Sequence, residues 1–354
     1  MTNLLTSEQV SAAQALIRSA QHVVIVTHLS PDGDAMGSSL GLKHYLTSLG
    51  KEAQVIVPNN FPDFLRWMPG ASDILVYDGN QEVCDALLDK ADLLVCTDFN
   101  APKRIGALGD KVLMLSTKKL LIDHHLHPDN FADVTISYPS SPSASELVYR
   151  LICQCDADAA SSLSVDCATC IYTGMMTDTG NFSFNSNHAE MYEIVGSLVT
   201  LGVDKDQVYN AVFNSYSADR MRLVGYCLYQ KMRIFPEYHT ALIYLSRKEL
   251  YRFNFQSGDA EGIVNMPLQI KGVYYSCFMR EDKVNPTETA AAAGNKSKIK
   301  ISLRSQGNRP VNVLAHDIFG GGGHANASGG EFYGPLSGAV QRFLDSYPKY
   351  FLRD

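Results

Sequence analysis

The sequence has no run approaching the ~20 apolar residues that a membrane-spanning helix needs. Its first residues, Met1 to Glu8, carry no basic segment leading into an apolar stretch, so no signal peptide is expected. Positive charge is not in excess. Thirty Lys and Arg face 37 Asp and Glu, a net charge of −7 with a pI near 5.8. A protein that coats long nucleic acid needs a basic track, so the balance argues against that class. It leaves room for a small anionic substrate held in one local site. No internal repeat is present. Paired zinc modules are missing too. Of the 8 cysteines, Cys153-x-Cys155 and Cys167-x-x-Cys170 make only half-sites, and the second pair falls in an apolar, helical stretch where Cys serves as a small hydrophobe. Free thiols in a reducing, cytoplasmic compartment are the expectation.

What is present is enough for two domains, with 354 residues, 45% of them hydrophobic. A capped helix is predicted from Ser7 to about Ser19. The β-branched run His22 to Thr27 reads as a buried strand that ends in a Pro/Gly loop, His28-Leu29-Ser30-Pro31-Asp32-Gly33-Asp34. A helix from Ala35 to Leu49 follows. Strands are predicted at Ala53–Val57, Asp73–Tyr77, Ala91–Asp98 and Lys119–Asp123, with helical spacing at Gln81–Lys90 and from Arg104. Strand and helix in alternation mean a doubly wound, mostly parallel sheet with helices on both faces. Helices are expected at Ser143–Cys153, Ala159–Met176, His188–Leu201, Lys205–Phe213 and Ala218–Gln230. From Lys231 the pattern turns to strands, at Met232–Phe235, Thr240–Leu245, Gly272–Met279 and Lys298–Arg304. The polar stretch Glu281–Ser297 reads as a loop. The Gly320–Gly323 run, a short strand and a last helix, Leu336–Tyr347, close the chain. The division expected is 1–190, a helical linker 191–230, and a smaller C-terminal α/β domain over 231–354.

Acids and histidines recur at the predicted strand ends. His28, Asp32 and Asp34 follow the first strand and Asp98 ends another. Asp123, His124 and His125 close a third, and Asp178 ends a helix. In open α/β sheets the carboxyl edge is where ligands bind. Carboxylates gathered there repel one another and take up protons unless a cation is present. Mixed carboxylate and imidazole ligands suit Mn²⁺, also Fe²⁺, Co²⁺ or Zn²⁺, better than an all-oxygen Mg²⁺ cage, with Mg²⁺ kept as an option, and two ions can share a carboxylate. Taken singly, each residue has an ordinary reading. Asp34 before Ala35 could cap a helix, and a lone His is usually a hydrogen-bonded core or surface residue. In the second half, Gly320, Gly321, Gly322 and Gly323 let backbone amides approach an anion, while His324 and Arg304 add donors. The alternative for that glycine run is a flexible hinge.

The ordered set His28-x-x-x-Asp32-x-Asp34, Asp98, Asp123-His124-His125 and Thr177-Asp178-Thr179-Gly180 resembles the four motifs of the DHH phosphoesterases. Arg304 in Ile-Ser-Leu-Arg-Ser, with Gly320–Gly323 and His324, resembles the DHHA1 domain that accompanies them. Length and layout look most like the bacterial nano-RNase and pAp-phosphatase branch. The resemblance implies a DHH domain and a DHHA1-like domain with a metal site in the cleft between them. One ion would be held by His28, Asp32 and Asp98, and the other by Asp34, Asp98, His124 and Asp178. Asp123 would orient its neighbouring imidazole, and His125 would contact the scissile phosphate and help protonate the leaving group. The implied activity is hydrolysis of short oligonucleotides or linear dinucleotides such as pApA, and of pAp to AMP and phosphate. Long polymers and membranes are not expected partners, and a homodimer is left open. Alternatives are a pyrophosphatase or polyphosphatase, a long-strand exonuclease of the RecJ type, and a catalytically dead nucleotide sensor.

Overall fold

The computed structural model describes residues 4–156, 158–256, 258–282 and 297–351. The chain divides into two compact units, Met1–Ser215 and Tyr216–Asp354. The first holds strands β1 (His22–Val26), β2 (Glu52–Val57), β3 (Leu75–Val76), β4 (Leu93–Thr97), β5 (Lys118–Asp123) and β6 (Val134–Ser137). Its helices are α1 (Ser7–Ser19), α2 (Gly33–Ser48), α3 (Gln81–Lys90), α4 (Ala107–Met114), α5 (Ala144–Cys155), α6 (Ala159–Ser162), α7 (Val165–Asp178), α8 (Ala189–Thr200) and α9 (Lys205–Phe213).

Six parallel strands lie in the order β3-β2-β1-β4-β5-β6. The order reverses between β1 and β4, which opens a crevice at their carboxyl ends. Both faces of the sheet are covered, so its central strands β1 and β4 are almost wholly apolar and buried. Val23 and Ile25 of β1 join one core with residues of α2, α5 and α7, while Val24 and Val26 join another with residues of α3 and α4. Each such side chain, fully buried, contributes roughly 1.5–3 kcal/mol. Burial on both faces therefore pins the register of the strands whose ends carry the polar residues.

Several sequence expectations shift. The third strand shortens to Leu75–Val76, because Ala71–Asp73 forms a 3₁₀ turn after a left-handed Gly70. Strand β6 was not anticipated. It is a four-residue edge strand with one fully buried position, too short for a clear pattern. The helix expected over Ala159–Met176 breaks at Leu163, and Ser164 caps α7 by accepting from the Cys167 amide.

The second unit contains α10 (Ala218–Tyr226), β7 (Arg233–Phe235), β8 (Thr240–Leu245), α11 (Arg247–Arg252), β9 (Tyr275–Glu281), β10 (Lys298–Ser305), α12 (Asn312–Phe319), β11 (Gly322–His324), β12 (Ala327–Tyr333) and α13 (Leu336–Tyr350). Its sheet runs β11-β12-β10-β9-β8-β7, antiparallel except for the β8–β9 pair. Strand β10 alternates cleanly. Ile299, Ile301 and Leu303 pack into a core that includes Leu314 and Phe343 from α12 and α13, while Lys298, Lys300 and Arg304 lie on the other face. The glycine run is not a hinge. Gly320 ends α12 in the left-handed region, and Gly322–His324 form a strand paired with β12. Helix α12 itself was not anticipated. The expected loop over Glu281–Ser297 lies largely outside the described residues.

The 191–230 stretch is shared between the two cores. Met191, Ile194, Leu198, Val208 and Val212 belong to the first, whereas Leu223 and Val224 belong to a core of the second. No helix among the described residues is long and apolar enough to cross a membrane.

Candidate metal centre

Three neighbouring strands of the first unit deliver the polar residues to one edge. His28 follows β1, Asp98 follows β4, and β5 ends at Asp123, so His124 and His125 lie just beyond it. Because the strand stops there, these side chains escape the alternation that would have split them between faces. Asp98 itself adopts a left-handed backbone, φ +63°. That conformation is uncommon for a residue other than glycine, though Asp tolerates it better than most.

Two helices bring the other acids. Asp32 caps α2, its Oδ1 accepting from the Asp34 and Ala35 amides at 3.1 Å each. The capping role weighed for Asp34 therefore belongs to Asp32, and the helix begins at Gly33 rather than Ala35. Asp34 is buried. Its Oδ2 accepts from the Ala144 amide at 2.6 Å and its Oδ1 from the Ser145 amide at 2.9 Å, at the amino end of α5. Asp178 is the last residue of α7. A carboxylate at a helix carboxyl end faces the negative pole of the helix dipole, which favours a cation nearby.

Helices α2 and α7 approach closely enough to set these residues side by side. A Cβ on Gly37 would lie 2.6 Å from the Cys170 carbonyl oxygen and 2.7 Å from Gly174 Cα. One on Gly174 would lie 1.9 Å from Ser145 Oγ and 2.9 Å from Asp34 Oδ1. Only glycine fits at either place. The sequence reading passed over both. The four-residue spacing of Gly33, Gly37 and Gly41 on one helical face was the signal available.

The side chains converge without pairing off as ordinary salt bridges. His28 Nε2 is 3.4 Å from Asp98 Oδ2 and 3.7 Å from Asp32 Oδ1. His124 Nε2 is 3.3 Å from Asp98 Oδ1, 3.5 Å from Asp178 Oδ2 and 3.7 Å from Asp34 Oδ2. Buried Asp98 Oδ1 makes no hydrogen bond among the described residues. Each histidine is oriented through its other nitrogen. His28 Nδ1 donates to the Leu29 carbonyl at 2.9 Å, and His124 Nδ1 to the Ser141 carbonyl at 3.2 Å. Metal-ligating histidines are held in this way, with Nε2 turned to the ion.

The electrostatics say the same. Burial pushes His28 down, but the Asp32 and Asp98 carboxylates outweigh it and hold the imidazole up at about 10. Burial also opposes the charged form of His124, and the Asp98, Asp178 and Asp34 carboxylates override it and raise that ring well above its usual value. Asp98 is buried, yet its two imidazole neighbours hold it well below the carboxylate range. Asp34 goes the other way, pushed well up by burial and by the Asp98 and Asp178 charges. This cluster collects protons to offset its own negative charge. A divalent cation would supply the same charge and displace them. His28, Asp32 and Asp98 form one group with ligand atoms within 4.8 Å of one another, and Asp34, Asp98 and His124 form a second. These groups could hold metal ions, and Asp98 belongs to both. All eight cysteines are free, and none joins such a group among the described residues.

His125 differs. Its Nδ1 donates to Asp123 Oδ1 at 2.8 Å, and its amide to Asp123 Oδ2 at 3.1 Å. Burial lowers its pKa, and the nearby Arg104 charge adds to the lowering against the Asp123 hydrogen bond. Arg104, expected from the sequence only as the start of a helical stretch, is a third such residue, after Gly37 and Gly174.

In the second unit, Arg304 of β10 and His324 of β11 both pair with Ala327 of β12. Residues in register across strands point to one face, so these two side chains flank Ala327 about 9–10 Å apart at their backbones. The four glycines divide. A Cβ on Gly321 would lie 1.9 Å from the Gly329 carbonyl oxygen, whereas Gly322 has nothing within 4 Å.

The description "DHH family, N-terminal domain" matches residues 22–175, and "DHHA1 domain" matches 240–351. The bifunctional oligoribonuclease and PAP phosphatase NrnA of Thermus thermophilus is 27% identical over 92% of this chain and 88% of its own. The protein of the same name from Bacillus subtilis is 24% identical over 88% of this chain and 89% of its own. The crystal structure of an exopolyphosphatase-related protein from Bacteroides fragilis superposes with a TM-score of 0.89 at 49% identity, covering 99% of this chain and 98% of that one. Histidines and aspartates gathered on one sheet edge, two family matches in order and relatives similar along nearly their whole length place this chain in the DHH phosphoesterase family, with a DHH domain followed by a DHHA1 domain.

Proposed function

We propose that this protein hydrolyses short oligonucleotides or linear dinucleotides such as pApA to mononucleotides, and pAp to AMP and phosphate, with two divalent ions, Mn²⁺ foremost. The observation that carries the reading is the pair of ligand groups that share buried Asp98. His28, Asp32 and Asp98 would hold one ion, and Asp34, Asp98, His124 and Asp178 would hold the other. When bound, such ions would lower the pKa of a coordinated water toward neutrality and offset charge at the phosphorus. The relatives named NrnA support the choice of substrate class.

The chain's own groups do the rest. Asp123 fixes the tautomer and plane of His125. The lowered pKa keeps His125 neutral at pH 7, with its one N–H on Nδ1. An arriving phosphate anion raises its proton affinity, so Nε2 takes up a proton from water, contacts the phosphate and passes that proton to the leaving oxygen, which returns the ring to its neutral form. Arg304 and His324, on one sheet face, hold the nucleotide's other phosphate and sugar.

Product analysis with Mn²⁺ on pAp, pApA, a longer single strand and a polyphosphate tests this. AMP from pApA and AMP plus phosphate from pAp, with little action on the other two, is the expected result. The exopolyphosphatase-related structure favours a second reading, cleavage of phosphoanhydrides. Turnover of polyphosphate alone would establish that reading and remove the nucleotide role of Arg304.

A further inference from the structure

The segment after Asp178 holds a backbone conformation its own residues disfavour. Gly180, Asn181 and Phe182 have φ of +54°, +58° and +60°, and Asn185 has +49°. Glycine and asparagine tolerate this region, but for an aromatic residue it is an outlier. Such conformations persist only where the surroundings over-determine them. Fully buried Thr179 does so here. Its hydroxyl donates to the Met175 carbonyl at 2.7 Å and accepts from the Phe182 amide at 3.0 Å. Its carbonyl accepts from the Ser183 and Phe184 amides at 2.9 and 3.2 Å. The Phe182 ring anchors the turn, its centroid 5.7 Å from that of Tyr172 and 6.4 Å from that of Tyr192.

The outcome is a fixed place for Phe184. Its ring lies against the bare Gly180, where a Cβ would come within 2.2 Å of Phe184 Cε1. Gly180 is two residues past Asp178, and successive Cα atoms are about 3.8 Å apart, so the ring edge is within about 11 Å of the Asp178 Cα. Even so held, Phe184 is 48% exposed. A lone exposed phenylalanine is ordinary on a protein surface. One locked by a strained turn just past Asp178, whose Oδ2 lies 3.5 Å from His124 Nε2, is a built feature.

We propose that Phe184 is the stacking platform for the nucleobase beside the phosphate under attack. The inference rests on the phosphoesterase reading above and deepens it, because a stacking ring selects nucleoside esters over bare phosphate chains. Every base offers a π-face, so stacking tolerates any sequence. That suits an enzyme that reduces mixed short oligonucleotides to mononucleotides. A ring already held in place loses little freedom when the base arrives.

The test compares wild type, Phe184→Ala, Phe184→Leu and Phe184→Trp with Mn²⁺ on pApA and on an abasic analogue of the same diester. Alanine and leucine should raise KM for pApA about tenfold or more, with kcat and the KM of the abasic analogue moving far less. Leucine keeps an apolar contact with Gly180, so its unchanged melting temperature separates lost stacking from lost folding. Tryptophan should keep the wild-type KM, and AMP should quench its fluorescence, with Trp67 in the wild type as background. Equal losses on both diesters, no loss on pApA, or no quenching would overturn the proposal. Wild-type failure on pApA would instead overturn the reading beneath it.

Discussion

The two units use their strands in opposite ways. In the first, chemistry sits at strand ends. Parallel strands carry all their carboxyl ends to one edge, so His28, Asp98 and the Asp123–His125 run become neighbours through topology alone. In the second, neighbouring strands mostly run against each other and their ends alternate between edges. No single edge can collect side chains there, and Arg304 and His324 are instead set in one row across a sheet face. The first unit also tolerates burial of charge, because its imidazoles and carboxylates balance each other. A parallel sheet gathers charged side chains at one edge, and an antiparallel one spreads them in a row across a face.

The comparison breaks most readily at Asp98. Asp98→Ala removes a ligand from both groups, so turnover of pApA should fall well beyond the about 10–100-fold expected for Asp123→Asn, which disturbs only an orienting partner. Equal losses in steady-state assays would sink the shared-ligand reading. Arg304→Ala tests the row in the second unit. A charge-assisted contact is worth about 1.5–3 kcal/mol, so KM for nucleotides should rise roughly 10–100-fold while kcat changes less. A loss confined to kcat would move Arg304 out of substrate binding.

Proton linkage sharpens the contrast in charge. His28 and His124 carry protons at pH 7 when no ion is bound, so Mn²⁺ binding should release protons, and affinity should climb as pH rises toward 10. Calorimetry in buffers of different ionisation enthalpy measures the release, and none at all would contradict the cluster's electrostatics. The sign for stability is opposite. His28 titrates at 6.5 unfolded and at about 10 folded, so its contribution to the metal-free protein is complete below pH 6.5 and lost as pH climbs through 10. Thermal melts of the chelated protein should fall across that window.

Two glycine substitutions give the smaller effects. Gly37→Ala drives a methyl into backbone atoms of α7 and should cost about 1–3 kcal/mol, a drop of several degrees in Tm. Gly322→Ala meets nothing within 4 Å and has no left-handed backbone to strain, so Tm should hold and only substrate KM should respond.

Most of the site was legible because its residue types are costly to place together without a purpose. His28, Asp32, Asp34, Asp98, His124 and Asp178 stand at predicted element ends, and the ends of parallel strands are neighbours by rule. Arg104 was not legible, since an arginine in a short 3₁₀ turn carries no local mark of the imidazole it will face. Phe184 was not either. An aromatic residue four positions past a Thr-Gly pair looks like any loop residue until the turn's handedness is known.

Local sequence determined the alternation of elements, the apolar runs that make both sheets, and the order of the motifs. Those follow from hydrophobic period and from Gly and Pro punctuation, which act over a few residues. Tertiary structure decided the rest. It put Asp34 on the amino end of α5, more than a hundred residues away, and let α2 and α7 touch through Gly37 and Gly174. It also split the roles of chemically similar groups, raising His28 and lowering His125, because a pKa depends on the charges that packing brings near and on the water it excludes.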